Sequence, residues 1–399
     1  MKILVVCQYY YPENFQITPI CETMAKRGHD VTVLTGLPNY PTGFITPGYE
    51  RGHRDEFVNG VHVIRVKEHP RKKGILHLAL NYLSYWKRAG SKIFKLKNEF
   101  DCVFLYQLSP IFMGLPAVKY KKTRGIPLLT YVCDIWPESL KMYLKNEESF
   151  VYKYVRKVSY NVYSNSDKLV CQSRSFIDYL DKYHHIKKDK ISYIPAFADE
   201  SYLEQDFSLE NGVVDFVFLG NLGIAQNLFK VLEAVLLIKN MPGFKVHFVG
   251  EGACLGELKT FVESNNLNEK VVFHGRRDVS EMVDFYKIAD VCMVSLKADN
   301  SVGLTLPSKV QGYMAAGKPI LGMIEGSAET VIKEAACGFC AKSDDVLTFS
   351  NLMKDIIDGK YDLKKLGQNG RVYFVNNFRQ EKCIARIENE LRLLIKKER

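Results

Sequence analysis

The stretch L-P-S-K-V-Q-G-Y-M-A-A-G-K-P-I-L-G, from Leu306 to Gly322, reads as a short helix followed by a buried strand. Pro307 opens the helix in its first turn, where a missing N–H costs nothing, and Gly317 closes it. Gly317-Lys318-Pro319 then breaks the chain into the apolar strand Ile320 to Met323. The first backbone N–H groups of such a helix are unpaired at the positive end of its dipole, so they favour an anion. Ser308 and Lys309 add a hydroxyl and a point charge to that turn, and Ala315-Ala316-Gly317 is small enough for a neighbouring backbone to come close. Any α/β helix–strand pair with a small-residue packing face satisfies the same pattern, so the rest of the chain must decide.

Outward from this stretch the second half repeats one theme. Strand Val214 to Leu219 runs into Gly220-Asn-Leu-Gly-Ile-Ala-Gln-Asn227, strand Lys245 to Val249 into Gly250-Glu-Gly252, and strand Val271 to His274 into Gly275-Arg276-Arg277. Glycines where strands end let backbone come close to a ligand. In the first half, apolar runs at 2–6, 31–35, 61–66, 102–106, 127–133 and 168–172 alternate with helical patterns, the signature of a parallel, doubly wound sheet. Strand Ile191 to Ile194 and Pro195-Ala196 read as the hinge. The expected architecture is α/β, with a first domain at 1–195, a second at 196–378 and a last helical segment at 379–399.

Polar loops follow several strands of the first half, at Thr35–Gly43, Gln107–Pro110 and Asp134–Ser139. Open α/β sheets bind ligands at the carboxyl ends of their strands, so these loops are expected to line one cleft. Asp134 is there a candidate catalytic carboxylate, or a helix cap. The first loop, Cys7 to Gln16, holds no G-x-G-x-x-G, which argues against a dinucleotide site.

A chain of 399 residues, 47% hydrophobic and 25% charged, suffices for two domains with proper cores. No apolar run reaches the roughly 18–20 residues of a membrane span, so a cytoplasmic protein is expected. The 10 cysteines lie mostly in apolar segments and read as buried thiols. Cys337-Gly-Phe-Cys340 follows a helix and leads into a strand, the reverse of a redox pair that opens a helix. No Asp-x-Asp occurs, so a divalent metal on a diphosphate has no obvious ligands.

The net charge of +10 divides into +13 on residues 1–195 and −3 on the remainder. Only the first half is expected to meet a polyanion. Its residues 71–98 place Leu76, Ala79, Leu83, Trp86, Ala89 and Ile93 at helical spacing. Arg71, Lys72, Lys73, Lys87, Arg88, Lys92, Lys95 and Lys97 surround that stripe. A basic amphipathic helix with Trp near its charges suits an anionic bilayer surface, though a core helix with a solvated basic face gives the same pattern. Aromatic residues are not interleaved as a single-strand nucleic-acid groove would need.

Taken in order, Tyr10–Glu13 (Y-Y-P-E), Arg27–Pro41 (R-G-H-D-V-T-V-L-T-G-L-P-N-Y-P), Asp134–Ser139 (D-I-W-P-E-S), Gly220–Gly223 (G-N-L-G), Val249–Gly252 (V-G-E-G), His274–Arg276 (H-G-R) and Pro307–Pro319 form one set. This set resembles the family 4 retaining glycosyltransferases of the GT-B fold, and within them the WbuB-like, L-fucosamine transferase type of O-antigen and capsule assembly. The resemblance implies two Rossmann-like domains facing across a cleft, with the last helix crossing back to the first. It implies a UDP-sugar on the second domain and a polyprenyl-diphosphate-linked saccharide on the first, at the inner face of the cell membrane, with no metal or other cofactor.

On this mapping Lys309 contacts the diphosphate, and Asp134 and Lys309 are the catalytic candidates. Gly275 and Arg276 lie against the base, and the backbone of Val302, Gly303, Leu304 and Thr305 near the sugar and phosphates. Gly220, Asn221, Gly223, Gln226, Gly250, Gly252, Ser308 and Gln311 complete the donor side. Glu13, Asn14, Asn39, Tyr40, Trp136 and Glu138 are assigned to the acceptor. The family's usual pair of glutamates falls on Leu304 and Gly312, so neither is present. A non-catalytic GT-B subunit that activates a partner transferase, or a non-hydrolysing UDP-sugar epimerase, are the alternatives.

Overall fold

The computed structural model describes residues 1–50, 54–96, 99–142, 144, 146–207, 212–297 and 305–397. The chain forms two compact units, Met1–Ala196 with Cys383–Arg399, and Phe197–Lys382. The first break thus falls one residue after the expected boundary at 195, and the return comes four residues after that at 378.

The first unit begins β1 (Lys2–Val6), α1 (Ile17–Lys26), β2 (Asp30–Gly36), β3 (Asp55–Val58), β4 (Val61–Val66) and α2 (Ile75–Lys92). It continues β5 (Cys102–Gln107), α3 (Leu115–Arg124), β6 (Leu128–Val132), α4 (Phe150–Asn165), β7 (Lys168–Cys171), α5 (Arg174–His184) and β8 (Ile191–Tyr193). The sheet order is β3-β4-β2-β1-β5-β6-β7-β8. Every pairing is parallel except β3 with β4. Helices on both faces explain why β1 reads as an unbroken apolar run, with Ile3 to Val6 all buried. The strand expected at the hinge forms as β8, an edge strand paired to β7. The pattern missed β3 because Asp-Glu-Phe-Val carries two acids at an exposed edge, where charge blunts unwanted pairing.

The helix α2 corrects the expected stripe. Its buried positions are Asn81, Tyr85 and Ala89, continued by Ile93, one turn apart. The Tyr85 hydroxyl reaches the carbonyls of Cys7 at 2.8 Å and Leu34 at 3.2 Å, which pins this face to the sheet. Leu76, Ala79 and Leu83 are instead exposed and Trp86 is half-buried. Polar Asn81 and aromatic Tyr85 hid the core face among the leucines.

The second unit holds β9 (Val214–Leu219), α6 (Leu228–Leu237), β10 (Phe244–Val249), α7 (Leu255–Ser264), β11 (Val271–Gly275), α8 (Met282–Ile288) and β12 (Val291–Ser295). α9 (Ser308–Ala315), β13 (Ile320–Met323), α10 (Ser327–Glu334), β14 (Gly338–Ala341), α11 (Val346–Ile357) and α12 (Leu363–Asn377) complete it. Its parallel sheet has the order β11-β10-β9-β12-β13-β14. In each sheet the order reverses beside the first strand, so the carboxyl ends of β1 and β5, and of β9 and β12, flank a natural ligand crevice.

Pro307 is extended and caps α9 from outside, rather than opening its first turn. Gly317, at φ +67°, ends it: Gly317 N–H donates to Met314 and Lys318 N–H to Tyr313, the paired bonds of a Schellman close. All ten cysteines are free thiols. Cys340 lies within β14, so the C-G-F-C motif is itself the strand rather than a lead into one.

The final helix α13 (Gln380–Lys397) buries Cys383, Ile384, Ile387 and Leu391 on one face. Its Glu388 meets Arg27 at 2.9 Å and His29 at 2.8 Å, and its Glu390 accepts from Ser192 at 2.6 Å. These contacts tie α13 to the turn between α1 and β2, and to β8, of the first unit. Among the described residues, no helix is long and apolar enough to cross a membrane.

Candidate functional site

In the second unit, the ends of β9, β10 and β11 form a glycine floor. Gly220 N–H donates to Val249 at 2.9 Å and Gly250 N–H to Gly275 at 2.8 Å. A Cβ on Gly250 would lie 2.0 Å from the Gly220 carbonyl oxygen, and Gly250 has φ +141°. Only glycine fits this crossing. A Cβ on Gly252 would lie 2.4 Å from the Leu222 carbonyl, and Asn221 Nδ2 reaches Gln226 Oε1 at 3.5 Å beside Gly223.

Lys309 projects from the first turn of α9 onto this floor. Its ammonium lies 3.7 Å from the centroid of the Phe218 ring, a cation–π contact. It is 3.1 Å from where a Cβ on Gly220 would stand. Lys309 makes no ion pair with the described residues. Burial holds its pKa down to about 7. A cation that has lost water and gained no carboxylate is a site prepared for an anion.

Thr305 is half-buried in the segment leading to α9, Ser308 is exposed at the helix start, and Gln311 is buried within the helix. Arg276 is exposed directly after Gly275 and likewise makes no ion pair with the described residues. Val302, Gly303 and Leu304 lie outside the described residues. Gly312, where the family's second glutamate would fall, faces Tyr286: a Cβ there would stand 3.0 Å from the tyrosine hydroxyl.

In the first unit a polar cluster gathers at the ends of β1, β2 and β4. Glu13 accepts from the backbone of Asn39 at 2.8 Å and of Tyr40 at 2.6 Å. Burial raises its carboxyl to about 7 against those bonds. Asn39 donates to Glu68 at 2.6 Å, and Gln8 bridges Glu68 at 3.1 Å and Asn81 at 2.9 Å. Burial pushes the Glu68 carboxyl well above the usual range. Arg71 donates its N–H to Asn39 and its guanidinium to the Tyr9 hydroxyl, and it faces the Tyr40 and Tyr82 rings. Tyr9, Phe15 and Tyr40 form an aromatic cluster with centroids 5.1–5.9 Å apart.

Several assignments move. Arg71 belongs to this cluster and not to the basic outer face, where Lys72, Lys73, Lys87, Arg88 and Lys95 are exposed and Lys92 is half-buried. Trp136 is turned inward, its indole N–H on Ser109 at 3.1 Å. Glu138 is buried between the hydroxyls of Tyr152 and Tyr179 and the Lys141 ammonium. Both side chains are engaged within the unit and help hold their loop in place. Asp134 is half-buried, accepts from Ser109 at 2.8 Å, and is raised by burial. Asn14 and Tyr40 are exposed, whereas Glu13 and Asn39 form the wall behind them. Glu68, Gln8 and Asn81 were missed. Glu68 had a signal, as a carboxylate two residues past the end of β4.

Two family models cover these parts in turn. "Glycosyltransferase Family 4" matches residues 16–202, and "Glycosyl transferases group 1" matches residues 203–373. The chain is a family 4 glycosyltransferase. The probable glycosyltransferase WbjE of Pseudomonas aeruginosa is 27% identical over 286 residues, 67% of this chain and 68% of that one. Among solved structures, Anabaena HepE in complex with UDP superposes with a TM-score of 0.70 at 14% identity, over 98% of this chain and 99% of its own. The lipopolysaccharide outer core galactosyltransferase WaaB gives 0.69 at 12%, over 98% of each chain. This glycosyltransferase therefore has the GT-B fold, with two parallel-sheet domains. Its group 1 match contains Lys309 and the glycine floor, and its family 4 match contains the Asn39, Glu68 and Arg71 cluster.

Proposed function

We propose that the chain moves a sugar, an N-acetylated amino sugar or deoxy amino sugar, from UDP to a polyprenyl-diphosphate-linked saccharide, with retention at the anomeric carbon. The setting is bacterial surface polysaccharide assembly of the WbuB-like type, at the inner membrane face. The observation that carries this reading is Lys309, a cation with no ion pair among the described residues, over a glycine floor at the first turn of a helix. That combination suits a leaving diphosphate. In a retaining reaction the acceptor hydroxyl attacks from the side the diphosphate leaves, and the departing phosphate takes its proton. Such chemistry needs diphosphate stabilisation more than a strong protein base. The solved HepE complex with UDP supports the choice of nucleotide, and the likeness to WaaB, a lipopolysaccharide outer core galactosyltransferase, supports the setting.

The exposed Tyr40, the Arg71 guanidinium and the carboxylates behind them suit a hydroxylated acceptor bearing a diphosphate. The basic face of α2 suits the membrane that carries it. The test is UDP release from a panel of UDP-sugars, with and without a lipid-linked saccharide, and the anomeric configuration of the product by NMR. Acceptor-dependent UDP release with a retained anomer is expected. Release that ignores the acceptor, or an inverted product, overturns the reading. With no Asp-x-Asp in the sequence, activity is expected to survive excess EDTA. Loss under EDTA that magnesium or manganese restores would overturn the metal-free mechanism.

A further inference from the structure

We propose that α4 docks on the anionic membrane together with α2, the two forming one surface across the turn Ile111–Gly114. The proposal rests on the membrane-facing reading above and adds an element that reading did not contain. The turn packs against α2 on one side and α4 on the other. A ladder of rings runs through it: Trp86 of α2 to Phe112 at 6.0 Å, Phe112 to Tyr154 of α4 at 6.3 Å, and Tyr154 to Phe150 at 6.4 Å. At one end stand Leu83, three residues from Trp86 on the same helix face, then Leu80, Leu76 and Ile75, all exposed. At the other end Phe150 is 83% exposed, with Val151 and Tyr154 exposed beside it.

The charge on this surface is predominantly positive. Residues 72–96, 102–133 and 149–166, which supply α2, the turn, α3 and α4, hold 13 Lys and Arg and no Asp or Glu, and of these Lys121 is paired with Asp167 and Lys153 with Glu148. The two acids at the near end of α4 are taken up locally, Glu147 by Lys141 at 2.8 Å and Glu148 by Lys153 at 2.7 Å. One turn further along α4, Arg156, Lys157 and Tyr160 join Tyr183, His184 and His185 around a recess of about 430 Å³ with no carboxylate in its lining. A polyanion alone would match the cations and leave Ile75, Leu76, Leu80 and Phe150 exposed to water. A bilayer of anionic phospholipid satisfies both, taking the apolar side chains below its headgroups and the cations among its phosphates.

The experiment is co-sedimentation of the full chain with phosphatidylcholine vesicles, with and without phosphatidylglycerol. Three proteins are compared: wild type, an α2 variant (Lys87→Glu, Arg88→Glu, Lys95→Glu) and an α4 variant (Phe150→Ser, Tyr154→Ser, Lys153→Glu, Lys157→Glu). Thermal melting and UDP binding report folding; the altered α4 side chains are all exposed, and a charge-only variant (Lys153→Glu, Lys157→Glu) serves where the fourfold variant melts early. Wild type is expected to bind only vesicles with anionic lipid, and each variant to lose about tenfold or more in partitioning. An α4 variant that binds as wild type while the α2 variant does not overturns this proposal and leaves the membrane reading standing. A wild type that ignores anionic vesicles overturns both.

Discussion

Lys309 carries the most testable chemistry of any single residue. Burial disfavours its ammonium and holds its pKa down to about 7, with no carboxylate among the described residues paired to it. A diphosphate beside it favours the charged form, so binding UDP at about pH 8 should draw in about one proton. Affinity should therefore fall as pH rises above 7, and calorimetry in buffers of different ionisation enthalpy reads the proton directly. Lys309→Arg should bind UDP without that uptake, since a guanidinium stays charged. Lys309→Ala should lower turnover roughly 10²-fold, the scale of one preorganised charge stabiliser. Unaltered turnover would remove Lys309 from the site. The same shift bears on folding. The native lysine binds fewer protons than the unfolded one between about 7 and the ordinary lysine value of roughly 10.4, so its contribution to stability rises with pH across that window.

Among the elements, the strand ends of the second unit make opposite demands on two glycines. Gly250→Ala drives a Cβ into the Gly220 carbonyl, against backbone that has nowhere to go. It should cost about 3 kcal/mol or more in urea unfolding and abolish UDP binding. Gly275 has φ +69° but open space around its missing Cβ, so Gly275→Ala should cost only about 1–2 kcal/mol. Equal costs would mean that strain and not the crossing sets the requirement. Both positions were legible, because glycine at the end of an apolar run has few structural explanations. The site of the first unit was legible only in part. Glu13 and Asn39 stood in recognisable loops, but Glu68 and Asn81 come from the end of a strand and the face of a helix, and only the fold brings them to Gln8. The stripe on α2 misled for a related reason. Its leucines mark an apolar face, yet the face that meets the sheet is the one bearing Asn81 and Tyr85, whose polar groups find partners inside.

For the whole molecule, α13 decides how the first unit is held. Burial opposes ionisation of Glu388, but bonds from Arg392, His29 and Arg27 overcome it and hold the carboxyl down to about 2. A depressed carboxyl contributes stability that is present above its unfolded value, about 4.3, and lost as pH falls toward 2. Glu388→Gln should therefore lower the melting temperature at neutral pH and narrow its gap to wild type as the solution is acidified below 4. A gap constant with pH would place the helix's hold in its apolar face alone. The return of the chain to its first unit also sets an order of birth. On the ribosome, residues 1–196 emerge first, yet the helix that covers their sheet edge is made only after the whole of 197–382. The second unit is a single continuous segment and can close while synthesis continues. The domain that is begun first is thus the last to be finished, and in the interval its apolar flank at β8 is left to whatever shields nascent chains.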